Sequence, residues 1–79
     1  VRVEVRVFAT LRRHLPDLGI GEAQILEVGA GTTLSAIRDG LGLPAEEVKV
    51  VIRNHLQAEL SDTVEDGDRI AFVPAVAGG

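Results

Sequence analysis

Cysteine is absent from the chain. Disulfides and thiolate metal ligands are therefore excluded, and nothing marks the protein as built for an oxidising compartment, so a cytoplasmic setting is expected. Aromatic residues are reduced to Phe8 and Phe72, and twelve acidic residues outweigh eight basic ones for a net charge of −4. A nucleic-acid groove needs stacking rings and the opposite charge, so no nucleic-acid partner is expected. Long apolar runs are missing too. None could span a bilayer, and the first residues alternate with charge in a way a signal peptide does not, so no membrane role is expected. Room is also scarce, because 79 residues make one small domain (1–79) with a modest core and little space for substrate and catalytic groups together. A self-contained enzyme is disfavoured. Lysine occurs once, as Lys49, and Val1 stands where an initiator methionine would, which implies a processed or trimmed start.

What is present is apolar residue, 46% of the chain, a high share for a domain with so much surface. Some of it is expected on an exposed contact face. Val1, Val3, Val5 and Val7 alternate with Arg2, Glu4 and Arg6, the period of a strand with one buried face, running to about Phe8. Thr10 to Leu15 can form a short helix with Leu11 and Leu15 on one side, ended by Pro16. Ala23 to Val28 reads as a second strand. Thr32 or Thr33 caps a helix carrying Leu34, Ile37 and Leu41 on one stripe, which Gly40 and Gly42 end. Pro44 to Glu47 suggests one further helical turn. Val48 to Ile52 alternates as a third strand, Asn54-His55 is a turn, and Leu56 to Leu60 is a short extended piece. Asp66-Gly67 is the strongest turn signal, and it launches Arg69 to Val73 with Ile70 and Phe72 on one face. A hairpin, one crossover helix packed on a single face and a last strand beside the first give an α+β fold. The plan expected is the β-grasp of ubiquitin, a mixed sheet of four to five strands with one main helix.

Sites for chemistry inside the domain are few. Gly29 to Thr33, "GAGTT", opens a helix but lacks the lysine and glycine spacing of a phosphate cradle, so it is read as a turn with an N-cap. Glu65 to Asp68, "EDGD", has acids too few and too close for a calcium loop and is read as turn chemistry; no metal site is expected. His14 and His55 have no metal-ligand cluster or spaced acid partner nearby in sequence and are read as solvated surface residues.

The end of the chain is different. Gly78-Gly79 cannot pack or cap, yet a missing Cβ lets a backbone pass close to other backbone and adopt any φ and ψ. Pro74 restricts the exit from the last strand and aims the segment outward. Ala75 to Gly79 would reach roughly 17 Å when extended. A thin tail of this kind can carry a carboxylate into a partner's active site. There the carboxylate must be activated, because its charge repels nucleophiles and oxide leaves poorly; a mixed anhydride with AMP, made from ATP held by Mg²⁺, divides the substitution into two easier steps.

Four stretches together resemble the MoaD/ThiS family of ubiquitin-like sulfur carriers, and within it the small subunits of molybdopterin synthase. They are "VRVFATLRRHL" (Val5 to Leu15), "TTLSAIRDGL" (Thr32 to Leu41), Asn54 after an apolar strand, and "VEDGDRIAFVPAVAGG" (Val64 to Gly79). The terminal Gly-Gly after an "F-V-P" strand is the specific part. His55 departs from the glycine common in relatives after the Asn, and Val73 from an aromatic. The resemblance implies a flexible tail (about 74–79) whose Gly79 is adenylated by a ubiquitin-activating-type adenylyltransferase using ATP and Mg, with Gly78 giving access. A persulfide sulfur donor then leaves a thiocarboxylate, and the molybdopterin synthase large subunit uses that sulfur for the dithiolene of molybdopterin. The chain itself is expected to bind no cofactor.

For partner contact the expected residues are Phe8, Arg12, Leu56, Val73, Pro74, Val76 and Ala77, with Phe72 in the core. Three other readings stay open. The same tail could be joined to lysines of target proteins as a modifier, or serve thiamin-thiazole synthesis; a plain β-grasp interaction domain is the third.

Overall fold

The computed structural model describes residues 1–19 and 21–74. Five strands form one mixed sheet in the order β2-β1-β5-β3-β4. β1 (Arg2–Val7) is followed by a 3-10 helix (Ala9–His14), β2 (Gln24–Glu27), α1 (Leu34–Gly40), β3 (Val48–Arg53), β4 (Leu56–Ala58) and β5 (Arg69–Pro74). β1 runs antiparallel to β2 and parallel to β5, while β5 and β4 flank β3 antiparallel. This is the β-grasp arrangement, with the last strand inserted between the first and third.

Alternation places the core. Val3, Val5 and Val7 of β1 and Ile70 and Phe72 of β5 point to one face, where they are buried with Leu11, Leu34, Ile37, Leu43 and Val64. Among the described residues the opposite face carries no helix. α1 covers the core side because Leu34 and Ile37 lie three residues apart, on one side of a 3.6-residue turn. A seven-residue helix is too short to stand alone, so its ends are tied down. The Thr33 hydroxyl accepts from Ala36 N at 3.1 Å, and the carbonyls of Asp62 and Leu60 accept from Leu34 N and Ser35 N at 2.9 Å each. At the other end Gly42, at φ +77°, lets Gly42 N and Leu43 N bond back to the Asp39 and Arg38 carbonyls, a Schellman closure.

The helical stretch foreseen at Thr10 to Leu15 is a 3-10 helix anchored by fully buried Leu11. Pro44 to Glu47 is a single hydrogen-bonded turn rather than a helix, with Glu47 N bonding the Pro44 carbonyl at 3.0 Å. β3 departs from simple alternation. Val48 pairs with Pro74 and Val50 with Val73, with a register shift between them. The extra residue, Lys49, is a bulge that brings Val51 rather than Val50 into the core beside Val48. No helix among the described residues is long and apolar enough to cross a membrane.

Candidate functional site

β5 ends at Pro74, and everything that can present the C-terminal segment is built around that strand end. Gly78, Gly79, Val76 and Ala77 lie outside the described residues. Pro74 itself closes the ladder against Val48 and is buried. Its side chain faces the core side with Ile70 and Phe72, away from the open face that carries Phe8 and Val73.

The helix-free face of the sheet leads up to this point. Odd positions of β5, Ala71 and Val73, alternate outward and stand beside Ile52 and Val50 of β3. On the other side Arg6 pairs with Ala71, and Phe8, whose amide bonds the Phe72 carbonyl at 3.2 Å, continues the same alternation. Arg6, Phe8, Ile52, His55, Arg69 and Ala71 line a groove of about 440 Å³. Phe8 keeps 44% of its surface exposed. The floor is apolar and one flank is charged: Glu4 lies 3.6 Å from Arg6 and 3.8 Å from Arg69. Ile52, Ala71, Arg6 and Arg69 were not singled out from the sequence, although the period of two through Arg6-Phe8, Val50-Ile52 and Arg69-Ala71-Val73 contains them.

The expected contact residues do not form one patch. Phe8 and Val73 share the open face. Leu56 is exposed too, at 73%, but its register partner is Arg53, which sits opposite buried Ile70. Directly opposed residues project to the same side of a sheet, so Leu56 belongs to the helix side. Arg12 is half-buried on the 3-10 helix.

A second group of residues flanks the strand end. Thr10, Arg13, Glu46, Glu47 and Pro74 border a shallow cleft. The Glu47 carboxylate accepts from Arg13 Nη2 at 2.7 Å and from His14 Nε2 at 3.1 Å. His14 is thus not a solvated surface residue but a half-buried one with an acid partner. The partner was invisible in sequence because it stands 33 residues away. The His14 hydrogen bond, helped by the Arg13 charge, holds the Glu47 carboxyl below the usual carboxylate range against the partial desolvation that pushes it up.

Turn chemistry accounts for the other motifs. In "EDGD", Asp68 Oδ2 accepts from Glu65 N at 2.8 Å and Gly67 adopts φ +87°. In "GAGTT", the Thr32 hydroxyl donates to the Gly29 carbonyl at 2.7 Å before Thr33 caps α1.

Comparison with known proteins agrees with this geometry. The solution structure of the Haloferax volcanii HVO 2177 protein is 26% identical, covers 100% of this chain and 87% of its own, and superposes with a TM-score of 0.77. SAMP1 from the same organism is 22% identical with full coverage of both chains and a TM-score of 0.71. A chain of the Helicobacter pylori 26695 complex of subunits 1 and 2 of molybdopterin-converting factor is 24% identical with full coverage and a TM-score of 0.63. Among curated proteins, the DNA mismatch repair protein MutL of Brucella abortus (strain S19) is 30% identical over 67 residues, 84% of this chain. The chain spans only 11% of the length of that relative. The model of the ThiS family matches residues 5–79, from β1 through the final glycine, and on that match the chain belongs to the ThiS family.

Proposed function

We propose that this protein is a sulfur carrier whose C-terminal Gly79 is activated as an acyl-adenylate by a ubiquitin-activating-type adenylyltransferase, then converted to a thiocarboxylate by a persulfide donor. The observation that carries this reading is the ThiS family match, which extends through Gly78-Gly79. The chemistry follows from the carboxylate. ATP and Mg²⁺ in the partner replace a poor leaving group by AMP; the outer sulfur of the persulfide then attacks the carbonyl carbon, AMP leaves with the electron pair, and a second thiol reduces the S–S bond of the acyl disulfide, becoming a disulfide itself and leaving the thiocarboxylate. The sulfur is destined for the dithiolene of molybdopterin, with this chain as the small, non-catalytic subunit beside a large synthase subunit. Fold-level likeness to a chain in the Helicobacter pylori subunit complex supports that acceptor. The open face around Phe8, Ile52 and Val73 is the surface offered to these partners, because it adjoins the strand end that launches the tail.

Fold-level likeness to SAMP1, a small archaeal modifier protein of Haloferax volcanii, favours a second reading, attachment to lysines of other proteins. Activation is the same in both and only the final nucleophile differs. Intact mass after incubation with ATP, Mg²⁺, an activating-type enzyme and a persulfide source separates them. Replacement of one oxygen by sulfur at Gly79 is the expected result. An amide to a target lysine in lysate, without that replacement, would favour the modifier, and no change in either setting with the enzyme shown active on its own carrier would remove both.

A further inference from the structure

The sequence contains a single lysine, and the fold gives it an unusual position. Lys49 is the bulged residue of β3, inserted between Val48, which pairs with Pro74, and Val50, which pairs with Val73. It is exposed, and among the described residues no carboxylate lies within ion-pair distance of its amine. Arg2, Arg6, Arg13, Arg38 and Arg69 have such partners, whereas among the described residues Arg12 and Arg53, like Lys49, have none.

Beside Lys49 the sheet is incomplete. β4 pairs only with Val51, Ile52 and Arg53. After Ala58 the chain turns away from β3, drawn to the amino end of α1, where the Leu60 and Asp62 carbonyls accept from Ser35 N and Leu34 N. The segment Val48–Val50 therefore has β5 on one side and no strand on the other among the described residues. Its free edge and the segment Gln57–Ser61 wall a groove of about 260 Å³. Backbone donors and acceptors along such an edge are a template for one more extended chain.

We propose that Lys49 is an acyl-acceptor site and that the segment seated in the groove beside it is the C-terminal tail of a second copy of this chain. Three edge residues offer roughly 10 Å of pairing length, and five tail residues span roughly 17 Å. The tail ends in two glycines, which have no Cβ to strike the β3 backbone. The proposal rests on the activation of Gly79 proposed above. Neutral Lys49 Nζ attacks the activated carbonyl carbon of the second copy's Gly79, a C–N bond forms, and the C–O bond to AMP breaks. AMP leaves with the electron pair, and the proton lost by nitrogen passes to water. ATP, spent by the adenylylating enzyme, is the only co-reactant.

The test bypasses that enzyme. The full chain bearing a C-terminal thioester at Gly79 is mixed with the unactivated full chain, and the products are read by intact mass and peptide mapping. An amide-linked dimer branched at Lys49 is expected, forming at least about tenfold faster than acylation of Lys49 by a simple acetyl thioester at equal concentration, because the groove raises the local concentration of the tail. In Lys49→Arg, whose fold is checked by its melting curve, the dimer should vanish. A bulge and a lysine at a sheet edge also serve to block strand addition; if that is their role here, the thioester persists without a dimer, and the proposal fails. Equal rates with both thioesters, or a branch elsewhere than Lys49, overturn it as well. Sulfur loading with ATP, an activating enzyme and a persulfide is measured separately, so loss of the carrier reading and loss of this acceptor site give different results.

Discussion

At the scale of single residues, the tightest constraint lies in the β3–β4 hairpin. Asn54 at φ 53° and His55 at φ 73° both occupy the left-handed region, the backbone of a two-residue turn that matches the twist of its strands. Asn54 is suited to it and also bridges: its Nδ2 donates to Asp68 Oδ1 at 2.9 Å and its Oδ1 accepts from Arg69 N at 2.9 Å. Asp68 is the one buried charged residue among those described. Replacing Asn54 by Ala removes a partner from that carboxylate and should lower stability by about 2 kcal/mol, read from urea unfolding. His55 pays the steric cost of a Cβ at positive φ, so His55→Gly should raise stability by about 0.5–1 kcal/mol in the same assay; a fall would mean that the His55 ring packs usefully on the groove. Asn54-His55 was legible as a turn. Its link to Asp68 was not, because it joins residues 14 positions apart.

Whole elements show where tertiary contacts select among local options. The 3-10 helix is held to the core by Leu11, and Leu11→Ala should cost about 3 kcal/mol because it empties a fully buried site. Its far end is held by Arg13 and His14 to Glu47, just before β3. The Glu47 carboxyl has a lowered pKa in the folded state, so the unfolded chain takes up its proton first as pH falls. The stabilisation is present above the ordinary carboxylate pKa and is lost as pH drops through the lower folded value. Glu47→Gln should therefore flatten the acid limb of a melting-temperature profile and leave its shape near neutrality unchanged; an unaltered acid limb would show that the contact adds nothing. β3 was legible as a strand from its run of valines. The bulge at Lys49 was not, since "VKVVI" suits either register and only the pairing of Val48 with Pro74 and Val50 with Val73 chooses.

For the molecule as a whole, one sheet face is covered by α1 and the other is bare among the described residues. Phe8→Glu places a charge on the bare face without emptying the core, so the melting temperature should hold while affinity for a large synthase subunit falls at least about tenfold. Leu56→Glu is the control. It is also apolar and is more exposed than Phe8, but lies on the helix side, and binding should be unchanged; a loss equal to that of Phe8→Glu would move the interface to the other face. Deleting Gly79 should abolish sulfur loading in the mass assay with almost no change in melting temperature, because a terminal glycine contributes little packing. A large fall in melting temperature would make the tail structural.

The amino-acid sequence by itself determined the local elements. Alternating valines, the Thr33 cap, the glycine after α1 and the Asp66-Gly67 turn act over a few residues, where side-chain direction and backbone sterics are decided by near neighbours. The ordered motifs from Val5 to Gly79 also carried the family resemblance, and with it the proposed role of the double glycine. Only the tertiary structure decided the register of β3, the burial of Pro74, the pairing of His14 with Glu47 and the separation of Leu56 from Phe8. Each depends on which strands lie side by side, and the insertion of β5 between β1 and β3 joins segments from opposite ends of the chain. No periodicity within either segment encodes the offset between them; it is set where Phe72, Val51 and Val7 come together in one core.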